Sequence, residues 1–128
     1  MENRLRLIFY REATGQAPFV EWFRELQDQA RDKVLVRLER LASLGHALRR
    51  PEADYLRDGI YELRASTRGR HFRVLYFFHG KAAAIVSHGL VKEREVPERE
   101  INLAIRRKAL FEADPATHTL ERIGRRGE

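Results

Sequence analysis

The sequence predicts an α+β domain: an N-terminal strand and a helical hairpin packed on a twisted antiparallel sheet, with a helix toward the C-terminal end. Helical periodicity between Pro18 and Gly45 is followed by strand-like runs from Ile60 to Val91, and a further helical stripe opens at Pro97. The strand runs are separated only by short segments containing glycine, as consecutive antiparallel hairpins require. The chain has 128 residues and is 43% apolar, enough for one core that buries roughly 65–70% of the unfolded surface. Residues 1–128 are therefore read as a single domain.

Leu5 to Tyr10 is short, apolar and partly alternating, which reads as a first strand. Arg11 to Ala17, containing Gly15, turns the chain. Pro18 suits the first position of a helix, where a missing N–H costs nothing, and Phe19, Phe23, Leu26 and Ala30 follow at helical spacing. Val34, Leu38 and Leu41 form a second stripe that Gly45 is placed to stop. The two stripes make either a helical hairpin or one bent helix. His46 to Arg57 is polar, contains Pro51 and reads as a loop.

Three strands are expected next, over Ile60–Ser66, His71–Phe78 and Ala82–Val91, joined by Thr67-Arg68-Gly69-Arg70 and His79-Gly80-Lys81. Pro97 opens the last helix, with Ile101, Ala104, Ile105 and Ala109 on one stripe and an end near Asp114-Pro115. The segment 115–128, with Arg122, Arg125 and Arg126 among Gly and Glu, is expected to be a loosely ordered basic tail.

Charge narrows the function. The net charge is +6 and the pI about 10.2, which favours an acidic partner, and nucleic acid is the commonest for so basic a domain. Between Ile60 and Arg94 the bases are Arg64, Arg68, Arg70, Arg73, Lys81, Lys92 and Arg94, against Glu62 and Glu93 alone. That window holds nearly all of the excess. With Ser66 paired to His71, the first hairpin sets Arg64 opposite Arg73, and period-two alternation puts both with His71 on one face. Directly opposed like charges are destabilising, so removing one is expected to stabilise slightly. Two guanidiniums in that position suit a bound phosphate, which their planar forks grip bidentately at any working pH. The alternatives at this stage are a slipped register, or neutralisation by Glu62 and the later glutamates. Lys92 follows the third strand; alternation groups it with His88 and Leu90 on the opposite side, and a bulge at Gly89 would be needed to turn it toward the arginines.

Other chemistries find little support. The chain has no cysteine, which removes thiol nucleophiles and thiolate zinc sites and fits a reducing compartment. His46, His71, His79, His88 and His118 show no metal-binding spacing, and no carboxylate cluster suited to magnesium can be assembled. No P-loop or dinucleotide fingerprint is present. Neither a metal nor a cofactor is expected. No apolar run approaches the ~20 residues that span a bilayer, so a cytoplasmic location without membrane contact is expected. Trp22, Phe23, Tyr61, Phe72 and Tyr76 read as core, although a tyrosine beside a guanidinium offers a surface on which a base can stack.

Several pieces then stand in a familiar order: Ile60-Tyr61-Glu62-Leu63-Arg64, Arg73-Val74-Leu75-Tyr76-Phe77, Ile85-Val86 running to Leu90-Val91-Lys92, and Pro97 with Glu100-Ile101 and Ala104 through Arg107. With Phe9-Tyr10, Gly15, Pro18 and Trp22-Phe23, this series resembles the toxins of the RelE/ParE superfamily, nearest the HigB-like branch also called phage-derived Gp49-like proteins. The resemblance runs from about Leu5 to Phe111. It implies helices on a twisted antiparallel sheet, and a metal-independent endoribonuclease that cuts mRNA on the ribosome and is paired with a helix-turn-helix, HigA-like antitoxin.

By position, the resemblance assigns catalysis to Arg64, Arg73 and Lys92; Arg68, Arg70, Arg94, His71 and Tyr76, in and beside the basic strands, are read as RNA-binding residues. Many relatives carry a second basic residue after the lysine, where this chain has Glu93 followed by Arg94. The implied reaction is attack of the ribose 2′-OH on the adjacent phosphate, which restricts the substrate to RNA. Arg73 and Arg64 would hold the phosphate, Lys92 would be the base, and Arg94 or Arg70 would stabilise the leaving group. His71 and His88 rank second as proton carriers. The alternatives are a basic module that binds nucleic acid or ribosome without cutting, and a toxin that inhibits a topoisomerase.

Overall fold

The computed structural model describes residues 4–92 and 94–122. Its strands are β1 (Arg6–Tyr10), β2 (Ala53–Arg57), β3 (Ile60–Thr67), β4 (Arg70–His79), β5 (Ala83–Val91) and β6 (Thr119–Leu120). Its α-helices are α1 (Pro18–Arg24), α2 (Asp28–Leu44) and α3 (Glu98–Ala113). The strands form one sheet in the order β2-β3-β4-β5-β1-β6. The architecture is the α+β arrangement that the sequence predicts.

The β3–β4–β5 meander is the centre of the sheet. Arg68 and Gly69 sit at φ 51° and 78°, and two successive left-handed residues make the tight turn whose twist matches the strands it joins. The hairpin is therefore one pair longer than a four-residue loop allows, with Thr67 opposite Arg70. The register is unchanged: Ser66 faces His71 and Arg64 faces Arg73.

Four features depart from the sequence reading. Ala53–Arg57, expected to lie within a loop, is an edge strand antiparallel to β3. Its sequence, Ala-Asp-Tyr-Leu-Arg, shows no strong strand pattern, because an edge strand is recruited by the ladder beside it as much as by its own residues. β1 pairs with β5 in parallel rather than antiparallel fashion. Ile8, Phe9 and Tyr10 are all buried, the condition of an interior strand covered on both faces. The start of the expected loose tail is docked, with Thr119–Leu120 pairing with β1 as β6 and His118 stacking on Tyr10 at 5.0 Å. Arg125 and Arg126 lie outside the described residues. Finally, α1 and α2 are separate helices that meet at a corner over residues 25–27, so Ala30 belongs to α2.

Two apolar layers sandwich the sheet. On one face α1 and α2 bury Phe19, Val20, Phe23, Val34, Leu38 and Leu41 against Leu63, Phe72, Val74 and Tyr76. On the other, Ile101, Ala104 and Phe111 of α3 pack on Ile60, Leu75, Phe77 and Ile85. Each fully buried Phe or Leu contributes about 2–3 kcal/mol by leaving water. α3 covers only part of its face, and the uncovered end of β3 and β4 forms the floor of a cleft.

Candidate functional site

The cleft lies where β2, β3 and β4 meet the start of α3, and its volume is about 420 Å³. Its walls include Arg50, Arg57, Arg64, Arg73 and Arg94, with Asp54, Glu62, Glu95 and Glu98 among them. Period-two alternation delivers Glu62 and Arg64 of β3 and Arg73 of β4 to this face, while Leu63 and Phe72 turn into the opposite core.

Glu62 organises the floor. Its side chain is almost wholly buried, and it accepts from Arg64 Nε at 2.8 Å while Arg73 Nε lies 3.2 Å from its other oxygen. One carboxylate thus bridges the two opposed guanidiniums, which is the neutralising alternative left open by the sequence. The ion-pair chain continues through Asp54, 3.6 Å from Arg64 and 2.6 Å from Arg50. The hydrogen bond from Arg50, with the charges of Arg50 and Arg64, holds the Asp54 carboxyl below the usual aspartate range. Glu62 thus fixes the Nε side of each arginine, while Arg64 Nη2 also faces Asp54 and Arg73 Nη1 donates to the Phe72 carbonyl at 3.4 Å.

A β-bulge decides what reaches this face from β5. Leu75 faces His88 and Tyr76 faces Val86, so Ser87 is the extra residue. The bulge is at Ser87 rather than Gly89, and it sets Leu90 opposite Arg73. His71 and Lys92 come together at the end of the ladder, where the Lys92 N–H donates to the His71 carbonyl at 2.9 Å. The Lys92 side chain is exposed, and no carboxylate of the described residues lies within 4 Å of it. Glu93 lies outside the described residues.

The bulge is clasped from inside. His88 lies between Ser87 Oγ, 2.8 Å from Nδ1, and Glu100 of α3, 3.0 Å from Nε2. Arg107 donates to Ser87 at 3.4 Å and to Glu12 at 3.1 Å. Burial first, and then the charge of Arg107, push the His88 pKa below its ordinary value against the pull of Glu100. Ser87 is fully buried, so this relay ties the start of α3 to the bulge beside the cleft.

Not every residue singled out from the sequence meets here. Arg73, Arg64 and Arg94 line the cleft, whereas Lys92 and His71 are not part of its lining and meet instead at the end of the β4–β5 ladder. Arg68 and Arg70 are exposed at the β3–β4 turn and line a second cleft, with Trp22, on the other side of the sheet. Tyr76 is not available to a base: it is 1% exposed, packed between Tyr61 and Phe78 in the core of the α1–α2 face. Alternation from Arg73 places it on the opposite face, and burial raises its phenol pKa. Arg50, Asp54 and Arg57 went unnoticed because they lie in the segment read as a loop. Glu62 had a legible signal, being two residues from Arg64 on the same face of a strand.

Among the described residues no three His, Asp or Glu are grouped where they could hold a metal ion. No helix of the described residues is long and apolar enough to cross a membrane.

No curated protein matches the chain. Residues 21–109, well over half of the sequence, match the family described as Phage derived protein Gp49-like (DUF891). That span runs from α1 into α3 and contains every residue of the cleft described above. The chain therefore belongs to the phage-derived Gp49-like family, the HigB-like branch of the RelE/ParE toxins that its strand sequences resemble.

Proposed function

We propose that this protein is the toxin of a type II toxin–antitoxin pair, acting in the cytoplasm as a metal-independent endoribonuclease on ribosome-bound mRNA. The observation that carries the reading is the pair Arg64 and Arg73, set side by side on a buried carboxylate in the floor of an open cleft. A phosphodiester entering that cleft meets guanidinium edges that do not have to reorganise, the condition under which fixed charges stabilise a transition state best.

In this reading Arg73, with its guanidinium mostly buried, holds the scissile phosphate, and Arg64 shares the charge that builds on the nonbridging oxygens. Lys92 accepts the proton of the ribose 2′-OH as that oxygen attacks phosphorus. Arg94, on the cleft wall, neutralises the departing 5′-oxygen, and Arg68, Arg70 and His71 carry the flanking strand. The product is a 2′,3′-cyclic phosphate, so a substrate lacking the 2′-OH is not cut. A cognate helix-turn-helix antitoxin that covers the basic face would silence the protein.

Inducing the gene alone in a bacterial host and mapping mRNA ends by primer extension tests the proposal. Growth arrest with new 5′ ends inside ribosome-bound messages is expected, and co-expression of the antitoxin should relieve both. A second reading rests on the ion-pair chain: Asp54 and Glu62 neutralise much of the arginine charge, which suits a module that occupies the ribosome without cutting. Arrest with intact messages would favour that module.

A further inference from the structure

The corner between α1 and α2 and the β3–β4 turn enclose a second cleft, about 340 Å³ in volume, on the face away from Arg73. Trp22, Leu26, Phe72 and Val91 make its apolar part, and Arg68 and Arg70 line it together with one carboxylate, Glu25. Three observations separate it from an ordinary surface dent.

The first is that the indole is fixed. An ideal Cβ at Gly89 would come within 2.3 Å of the six-membered ring of Trp22, so the ring lies directly on the β5 backbone at the one residue that admits it. Phe72 meets it edge-on at 6.3 Å and 66°. The second is that the cleft is open on its apolar side, with Trp22 only half-buried and Val91 40% exposed. The third is charge. Arg37 and Arg40 close on Glu52, Arg57 on Glu98 and Arg107 on Glu12. Among the described residues no carboxylate lies within 4 Å of Arg68 or Arg70, and the Arg70 guanidinium instead rides 5.7 Å above the Phe72 ring.

We propose that this cleft is a nucleotide subsite, with one unpaired base of an RNA strand entering against Trp22 and its phosphate held by Arg68 and Arg70. It rests on the reading of RNA as the ligand. A flat apolar wall beside two unneutralised guanidiniums matches a nucleotide, which presents a π-face next to a phosphate. The subsite and the arginine pair lie on opposite faces of the β3–β4 hairpin, so a bound strand passes around its tip. The subsite anchors the strand and takes no part in the chemistry.

Trp22 is the protein's sole tryptophan, so its fluorescence reports on this cleft alone. The probe is a 2′-O-methyl trinucleotide, which cannot undergo the proposed cleavage, titrated beside an abasic trinucleotide of equal charge. Saturable quenching by the first, with binding of the second weaker by about tenfold or more, is expected. The R68A/R70A variant should weaken binding and lower the salt slope by about 0.7 units, as loss of one phosphate contact requires. Val91→Asp, at an exposed site, should weaken it without changing thermal melting. Arg73→Ala should leave the quenching intact, so the subsite stands or falls apart from the cleavage reading. Absence of quenching at millimolar trinucleotide, or equal quenching by the abasic chain, overturns the proposal. A Trp22 signal that ignores the trinucleotide but shifts with the purified antitoxin would make the cleft a protein-docking surface, and overturns it as well.

Discussion

Arg64 and Arg73 stand directly opposite each other across the β3–β4 ladder, each with its Nε directed at a different oxygen of the same buried glutamate. Register brings the two cations together, and Glu62 makes the arrangement tolerable. The sign of a mutational effect follows. From register alone, losing either arginine relieves a repulsion; with Glu62 beneath them, it strips a partner from a buried carboxylate. Arg73→Ala is expected to lower stability by about 1 kcal/mol, measured by urea unfolding.

Glu62→Gln isolates the bridging charge. The amide keeps the shape but leaves two guanidiniums facing each other without an anion, and breaking a buried pair by removing one member typically costs about 3 kcal/mol. Added sulfate or phosphate should recover part of that loss by binding between the arginines. A variant as stable as wild type, with no anion dependence, would show that the bridge carries no weight.

Catalysis should depend on the fork as well as the charge of Arg73. Arg73→Ala is expected to reduce cleavage of ribosome-bound mRNA by about a hundredfold or more. Arg73→Lys should also be impaired, since an ammonium cannot make the bidentate contact. Primer extension gives the rate, and circular dichroism verifies the fold. Wild-type cleavage by Arg73→Ala would remove the proposed site.

The His88 relay predicts an acid sensitivity. Burial and Arg107 lower its folded pKa beneath the unfolded value of about 6.5. As pH falls below about 6.5, the unfolded chain takes up a proton that the folded chain refuses, so this group's contribution to stability is intact above that pH and declines below it. The carboxylates Glu52 and Asp54, with lowered pKa values, lose their contributions only at more acidic pH. Stability measured by urea unfolding between pH 7.5 and 5 should fall for wild type and stay flatter for His88→Gln. Parallel profiles would show that His88 does not set the slope.

Gly89→Ala should displace Trp22. The added methyl has no room beneath the indole, and overpacking of this kind costs about 1–3 kcal/mol. The tryptophan emission maximum should move to longer wavelength as the ring is driven into solvent. An unchanged spectrum would mean that the ring does not rest on that glycine.

What the sequence determined by itself was whatever local rules decide. Glycine at the β3–β4 turn set the register, alternation set the faces, and so Arg64, Arg73 and Glu62 could be placed on one side of a hairpin before any fold was known. Helical spacing did the same for most of the stripes of α1, α2 and α3, although it put Ala30 on the first helix and set Ala109, which is exposed, where Phe111 is buried instead. The rest depended on partners distant in the chain. β2 takes its form from the ladder of β3, and β1 lies between β5 and β6, parallel to the first and antiparallel to the second. The bulge at Ser87 depends on His88, Glu100 and Arg107, which no local pattern brings together, yet it decides which face Leu90 and Lys92 approach. Tyr76 shows the same limit from the other side: an aromatic three residues from an arginine looks like a stacking surface in sequence, and the pleat turns it into the core.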